Sequence, residues 1–349
     1  FDRKGHSGYN ITLPRLPVYN QGIPGMLRRI ITCKNSQIMI KELIFSMESP
    51  YRDHFRIWGY RFGSGKKSLA VVGAMRGDEV RQQLVCAELI ARLKEMEVNG
   101  QLAQGHEILV IPSVNPFSMN IEKRFWALDG TDINRMFPGY ELGETTQRIA
   151  GGLFNTIKDY KYGIQMASSY MAGDYIPHVR ITKTGFEDVD TANLFGLPYV
   201  LLRTPKPFDT TTLNYNWQIW SSKAFSLYGG KNDDINPNGI RRTVESILMF
   251  IQKSRLSKNQ SRNTTLSYQT IMLEDSNLVK VMAPKAGILQ KSKNPFEEVS
   301  EGEIIARIID PYEGTLLTNI ESPCNGMIFY EADKPLTLLN SPIFEIISY

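Results

Sequence analysis

Short apolar runs alternate with amphipathic stretches over residues 25–270, a pattern that is typical of an α/β domain. Residues 68–73 are continuously apolar or small, which predicts a buried strand, and apolar residues then recur at near-helical spacing over residues 80–100. The same order returns with a strand pattern at residues 107–112 and a helical pattern at residues 144–159. We therefore expect a mixed, mostly parallel sheet flanked by helices.

The alternation continues toward the middle of the chain. Residues 199–202 and 224–228 are further predicted strands, and residues 236–252 form a predicted last helix. Asn236 is its expected N-cap and Pro237 occupies the first turn, where a missing N–H does no harm. We assign residues 1–252 to the α/β domain and expect the first 60 residues to contribute strands of their own.

The composition changes after this predicted helix. Residues 253–270 are rich in Ser, Asn, Lys and Arg, which indicates a linker, and residues 271–349 show short β-type runs without a helical period. Residues 283–289 and 322–328 echo each other, so we expect a small all-β barrel or sandwich that resembles biotinyl/lipoyl-type folds. The modifiable lysine triplet of such carriers is missing, which favours a structural or lid role.

Charge and cysteine content narrow the function classes. The 349 residues carry a net charge of +4 without a clustered basic stripe, so we expect no nucleic-acid partner. Cys33, Cys86 and Cys324 lie too far apart for a disulfide framework or a CxxC site, which favours a reducing, cytoplasmic compartment. No apolar run reaches the length of a membrane span, so no membrane partner is expected. The start without Met suggests trimming or a disordered start, and a homo-oligomer stays open.

A dense polar block lies between Arg124 and Gly139. It holds two arginines, two aspartates and an asparagine, interleaved with aromatic residues. The planar fork of arginine matches a carboxylate, and asparagine can donate to a carbonyl or accept from an amide. Two interpretations stay open: the block reads a ligand, or its charges satisfy one another and fix the loop to the core.

Three segments together carry a resemblance: residues 73–79, Asn115 with Pro116, and Arg124 followed by the motif of residues 132–139. In order and spacing over roughly residues 60–250 they resemble the succinylglutamate desuccinylase/aspartoacylase family, zinc hydrolases related to the zinc carboxypeptidases. The tail resembles the β-domain that follows the catalytic domain in some members. The resemblance implies a carboxypeptidase-like fold, zinc, and hydrolysis of an amide bond in an N-acyl amino acid or small peptide.

The metal positions that the resemblance implies depart from the family pattern. Where the family has His-Gly-Asp/Asn-Glu, this chain has Arg76 before Gly77, Asp78 and Glu79, so only the Glu of that motif's two ligands is retained. The third ligand, a His after a strand, corresponds to Ala167. The general-base Glu expected near residues 226–230 is also missing. Because catalytic zinc needs three protein ligands and a guanidinium has no lone pair, we expect no zinc by the family route.

Three hypotheses follow. The first is a carboxylate-binding pseudoenzyme that keeps the family's anion-reading residues. Its candidate ligand contacts are Arg76, Arg124, Asn134, Arg135 and His178. The second is an active hydrolase with a rebuilt site, in which His178 joins Glu79 and Asp78 around a harder metal. The third is a metal-free hydrolase that uses Glu79 or Asp78 as the base, with Glu79 as the candidate catalytic residue. In the pseudoenzyme hypothesis, Arg76 either pairs with Glu79 or faces the carboxylate of the ligand. The alternative is that Arg76 and Glu79 form an ordinary ion pair on the surface, without a role in binding.

Overall fold

The computed structural model describes residues 39–49, 53–170, 173–258 and 269–349. Its strands, in chain order, are β1 (Ile40–Met47), β2 (Phe55–Gly63), β3 (Lys66–Ala74), β4 (His106–Ser113), β5 (Tyr162–Met166), β6 (Gly173–Tyr175), β7 (His178–Thr182), β8 (Tyr199–Arg203), β9 (Lys223–Tyr228), β10 (Ile271–Glu274), β11 (Leu278–Met282), β12 (Gly287–Lys291), β13 (Glu298–Val299), β14 (Ile304–Ile309), β15 (Leu316–Glu321), β16 (Gly326–Ala332), β17 (Leu336–Thr337) and β18 (Pro342–Ser348). The predicted strands at residues 68–73, 107–112, 199–202 and 224–228 correspond to β3, β4, β8 and β9.

The helices are α1 (Val80–Val98), α2 (Pro116–Met119), α3 (Thr145–Ile157), α4 (Val189–Ala192), α5 (Leu213–Ile219) and α6 (Pro237–Lys253). The three helices predicted from periodicity, α1, α3 and α6, are confirmed to within a few residues at each end. Asn236 caps α6 as expected, because its side-chain oxygen accepts from the backbone N–H of Asn238 at 2.9 Å. Among the described residues, no helix is long and apolar enough to cross a membrane.

Nine strands form the main sheet in the order β1-β2-β4-β3-β5-β9-β7-β8-β10. The pairs β3 with β4, β3 with β5, β5 with β9, β7 with β8 and β8 with β10 are parallel. The pairs β1 with β2, β2 with β4 and β7 with β9 are antiparallel. The predicted mixed, mostly parallel sheet flanked by helices is therefore confirmed.

Two antiparallel sheets follow at the carboxyl end, as the β-type pattern predicted. One has the order β11-β18-β16-β13 and the other β15-β14-β12-β17. The two echoing segments each lead into a strand that begins at a glycine, β12 at Gly287 and β16 at Gly326. These sheets enclose their own apolar core, which includes Ile305, Ile328 and Phe344.

Strands cross the division that we predicted at residues 1–252, 253–270 and 271–349. β10 lies within the third segment but extends the main sheet beside β8, while β6 of the first segment pairs with β16. β1 and β2, which cover the end of the first 60 residues and run on to Gly63, form an edge of the main sheet. Residues 1–38 and 259–268 lie outside the described residues, and the division into domains stays a prediction.

The main sheet is covered on both faces, and β3 shows why its sequence is continuously apolar. Leu69 and Val71 point into a core with α1 and α6, whereas Ala70 and Val72 point into a second core with α3 and α5. Because the side chains of a strand alternate between faces, both faces can be apolar only in an uninterrupted run. This burial fixes the carboxyl end of β3, where the polar segment of residues 75–79 begins.

The polar block ends at a close backbone contact that only glycine allows. Gly139 has φ +92°, and a Cβ there would lie 2.0 Å from the backbone N of Gly151 in α3. Gly130, in the same block, has φ +74° but open space around its Cβ position. A side chain would be strained at both positions because of the positive φ, but only at Gly139 would it also clash with neighbouring backbone.

We predict that Gly139→Ala destabilises the protein much more than Gly130→Ala. The second change should lower the free energy of unfolding by about 1–2 kcal/mol, the strain of a left-handed residue. The first adds a clash with backbone that cannot move aside, so its loss should exceed this by at least about 2 kcal/mol. Urea unfolding of the two variants measures the difference, and equal losses would contradict the packing described.

Candidate functional site

A buried group of charges lies where β3 and β5 end. These strands are parallel neighbours, so the turn that follows β3 lies next to the turn that follows β5, at Ala167 and Ser168. Arg76 is 3% exposed. Its Nη2 donates to Asp132 Oδ2 at 2.8 Å and its Nη1 donates to Glu79 Oε1 at 3.3 Å. The guanidinium is thus shared by two carboxylates.

Arg76 also joins segments that are distant in the chain. Its Nη1 donates to the backbone oxygen of Ser168 at 3.1 Å, and its Nε lies 3.3 Å from both oxygens of Asp132. Burial alone would lower the pKa of Arg76, but the charges of Asp132 and Glu79 outweigh it and raise the pKa. Arg76 is therefore a permanently charged bridge between the two strand ends and the polar block, and the predicted pair with Glu79 is buried instead of lying on the surface.

Glu79 has no surface exposure and its two oxygens are fully engaged. Oε2 accepts from the backbone N–H groups of Met75 at 2.8 Å and Arg76 at 3.0 Å. Oε1 accepts from Arg76 and from the hydroxyl of Ser168. This carboxylate therefore holds its own turn in place through hydrogen bonds within the protein.

Both arginines of the polar block are also paired within the protein. Arg124 Nη1 donates to Asp78 Oδ2, and its Nη2 donates to the backbone oxygen of Ser169. Arg135 Nη1 donates to Asp209 Oδ1 at 3.0 Å. These ion pairs support the interpretation that the charges fix the loop to the core. Arg135 also lines a cavity, which supports the interpretation that the block contacts a ligand.

That cavity has a volume of about 200 Å³ and lies against the main sheet. Its basic and acidic lining residues are Arg76, Arg135, Arg180, Arg203, Lys206 and Asp209. Asn134 and Ala167 line it as well, whereas Arg124, Glu79 and His178 are not among its lining residues. Arg76, Arg135 and Arg203 are each paired with a carboxylate, so Arg180 and Lys206 are the basic side chains that make the cavity suitable for an anion.

A row of polar side chains crosses the middle of the sheet beneath the cavity. Gln165 of β5 lies opposite Ser226 of β9, and Ser226 lies opposite Arg180 of β7. All three line the cavity. Sequence reasoning did not select this row, because each residue is isolated among apolar neighbours. The alternation in β7, where Val179 and Ile181 point into the opposite core, is the signal that could have revealed Arg180.

The donors present do not suit the zinc ion that the family resemblance implies. Arg76 offers no lone pair, Ala167 has no donor atom, and Ser168 already donates to Glu79. Zinc needs three protein ligands with nitrogen, sulfur or oxygen lone pairs. Among the described residues, no group of three or more His, Cys, Asp or Glu side chains is arranged to hold a metal.

His178 occupies a different place from the one expected. Its ring is fully buried, stacked on Tyr228 at 5.1 Å between centroids and packed against Phe329 at 4.7 Å. Nδ1 donates to the backbone oxygen of Ile176 at 2.8 Å, so Nε2 is left as an acceptor 3.5 Å from Arg180 Nη2. The expectation that His178 contacts a ligand is therefore corrected: an aromatic cluster encloses it, and its free nitrogen meets Arg180.

We predict that Arg76→Met lowers the free energy of unfolding by about 3–5 kcal/mol, because Glu79 and Asp132 would stay buried without their cation. Arg92→Met is the matched control. Arg92 has a side chain that is 54% exposed and a distant partner, with Nε 3.8 Å from Glu95, so its loss should stay within about 1 kcal/mol. Urea unfolding measures both, and similar values would contradict a structural role for Arg76.

We also predict a pH effect from His178. Burial, together with the positive charge of Arg180, lowers its pKa well below the usual value, so the folded protein holds a neutral ring. The unfolded chain takes up a proton below about pH 6.5, so this contribution is complete above that pH and is lost as the pH falls.

His178→Phe should remove the effect. Between about pH 6.5 and about pH 5, the unmodified protein should lose about 1–2 kcal/mol more stability than the variant. Urea unfolding at both pH values tests it. Parallel losses in the two proteins would mean that the ring takes up its proton equally in the folded and unfolded states.

The comparisons with known proteins agree with this architecture. The N-alpha-acetyl-L-2,4-diaminobutyric acid deacetylase of Halomonas elongata is 23% identical over 265 residues, 71% of this chain and 72% of that protein. The product-bound ectoine utilization protein of Ruegeria pomeroyi superposes with a TM-score of 0.75 at 16% identity, covering 89% of this chain and 95% of that one.

A succinylglutamate desuccinylase/aspartoacylase structure from Rhodobacter sphaeroides gives a TM-score of 0.71 at 20% identity, covering 84% of this chain and 89% of that one. At such identities these structures establish the fold alone. The sequence profile of the succinylglutamate desuccinylase/aspartoacylase catalytic domain matches residues 65–253. Because this match takes in more than half of the 349 residues, the chain belongs to the succinylglutamate desuccinylase/aspartoacylase family.

Proposed function

We propose that this chain is a ligand-binding member of its family that recognises a small carboxylate-bearing molecule, an N-acyl amino acid or a peptide end, and does not hydrolyse it by a zinc-dependent route. The observation that carries the proposal is the buried guanidinium of Arg76, held between Asp132 and Glu79 where the family motif has a ligand histidine. The fixed positive charge of Arg76 takes the place of the charge of a metal ion, and its guanidinium has no lone pair with which to bind a metal.

The cavity chemistry supports an anionic ligand. Two of its basic side chains, Arg180 and Lys206, have no carboxylate oxygen within 4.0 Å among the described residues, and its volume of about 200 Å³ limits the ligand to a small molecule. The relative from Halomonas elongata is by name a deacetylase of an N-acetylated amino acid. A cleft that keeps the family's fold and loses its metal ligands would retain this class of ligand, since binding and bond cleavage depend on different atoms.

The alternative function is an active hydrolase with a carboxylate base or a rebuilt metal site. A general base must reach the water that it activates, and both oxygens of Glu79 are engaged within the protein and away from the cavity. A rebuilt site would need His178, whose Nδ1 is bonded to Ile176 and whose ring is enclosed. These contacts favour binding over turnover.

Metal analysis and ligand titration of the full chain test the proposal. We expect zinc well below one equivalent after dialysis against zinc, no release of acetate from N-acetyl amino acids, and stabilisation by such a ligand in thermal unfolding. A ligand at a hundred times its Kd should add about 2.7 kcal/mol to the free energy of unfolding. Stoichiometric zinc together with turnover would overturn the proposal.

A pair of variants locates the effect. Arg76→His with Ala167→His supplies two imidazoles beside Glu79, so we expect this variant to take up one zinc ion. Ala167→His alone keeps the guanidinium in place and should stay without zinc. If the single variant bound zinc as well as the double variant does, Arg76 would not be the residue that excludes the metal.

A further inference from the structure

Arg180 differs from the other arginines that line the cavity. Arg76, Arg135 and Arg203 each have a carboxylate partner, at 2.8, 3.0 and 2.9 Å, in Asp132, Asp209 and Asp275 respectively. Among the described residues, Arg180 has no carboxylate oxygen within 4.0 Å, and its Nε is buried without a hydrogen-bond partner. Arg180 as a whole is partly buried, but a buried N–H group without an acceptor is costly, so a folded protein retains one where something else completes it.

The surroundings of Arg180 hold it in one orientation. The guanidinium lies over the ring of Tyr228 at 3.8 Å and near that of Tyr175 at 5.5 Å, and Nη2 faces the free Nε2 of His178 at 3.5 Å. Burial works against its charge, but Tyr228, Tyr175 and Glu345 outweigh burial and raise its pKa. The guanidinium of Arg180 is therefore charged and held in one orientation, and it has no carboxylate partner among the described residues.

Asn214 supplies a second incomplete group in the same cavity. It is the second residue of α5, and it is 5% exposed. Its Oδ1 and its Nδ2 are both buried without a partner, although each normally makes hydrogen bonds in a protein interior. A primary amide with both ends free is complementary to a secondary amide, which offers one N–H donor and one carbonyl acceptor.

We propose that Arg180 and Asn214 are the recognition pair of this cavity for an N-acyl amino acid: Arg180 binds the carboxylate and Asn214 binds the acyl amide. The inference rests on the proposed function and assigns its ligand contacts to residues outside the family motif. Arg124 and Asn134 then have structural roles, because Arg124 pairs with Asp78 and Asn134 Oδ1 accepts from Gln165 at 3.1 Å.

Two variants of the full chain, Arg180→Gln and Asn214→Leu, test the pair by isothermal titration with a panel of N-acetyl amino acids. We expect each variant to bind the best probe about 10- to 100-fold more weakly than the unmodified protein, the range for a lost charge-assisted or buried hydrogen bond. Their stability should be unchanged or higher, because each change removes a group that lacks partners in the free protein.

Arg203→Gln is the matched control, since Arg203 lines the same cavity but is paired with Asp275. It should change the affinity by less than about fivefold. The corresponding free amino acids form the second control: Asn214→Leu should abolish the preference for the acetylated over the free form, while Arg180→Gln should leave that preference in place.

The outcomes separate the two proposals. If no N-acetyl amino acid binds to the unmodified protein, the proposed function fails. If a probe binds and neither Arg180→Gln nor Asn214→Leu weakens it, the proposed function stands and the recognition pair is overturned. Weaker binding accompanied by a loss of stability equal to that of Arg76→Met would also overturn the pair, since it would place both residues among the structural contacts.

Discussion

Two buried carboxylates, Glu79 and Asp132, share the single guanidinium of Arg76, and the organisation of the cleft depends on this contact. It connects the turn after β3 to the polar block and, through Ser168, to the turn after β5. These three segments are far apart in the sequence, so contacts between neighbouring residues cannot hold them together. A buried ion network of this kind tolerates no missing member, because each remaining charge would be stranded in a medium of low polarity.

The cleft divides its polar groups into two kinds. Around Arg76, both oxygens of Glu79 and both oxygens of Asp132 accept hydrogen bonds within the protein, which stabilises the fold. Around Arg180 and Asn214, buried atoms have no hydrogen-bond partner among the described residues. Groups that would be better paired or apolar for stability alone are retained where a function uses them, which is the reason for proposing the second set as the ligand contacts.

Much of the fold could be predicted because its signals are local. Helices α1, α3 and α6 were predicted from the spacing of apolar residues and from capping residues. β3 was predicted from a continuous apolar run, which is typical of a strand that is buried on both faces. β7 was missed, since its polar positions mask a short strand in which His178 and Arg180 lie on one face. The sheets that β6 and β10 join could not be predicted, because which strand extends which sheet depends on contacts far along the chain.

The sequence by itself determined the order of the elements, the family block of residues 132–139, and the absence of imidazoles at Arg76 and Ala167. The tertiary structure alone decided which charges are paired. Arg124 and Arg180 look alike in sequence, yet one lies against Asp78 and the other has no carboxylate beside it among the described residues. The reason is that an ion pair depends on strand register and loop position, which place residues from different parts of the chain within a few ångströms of each other.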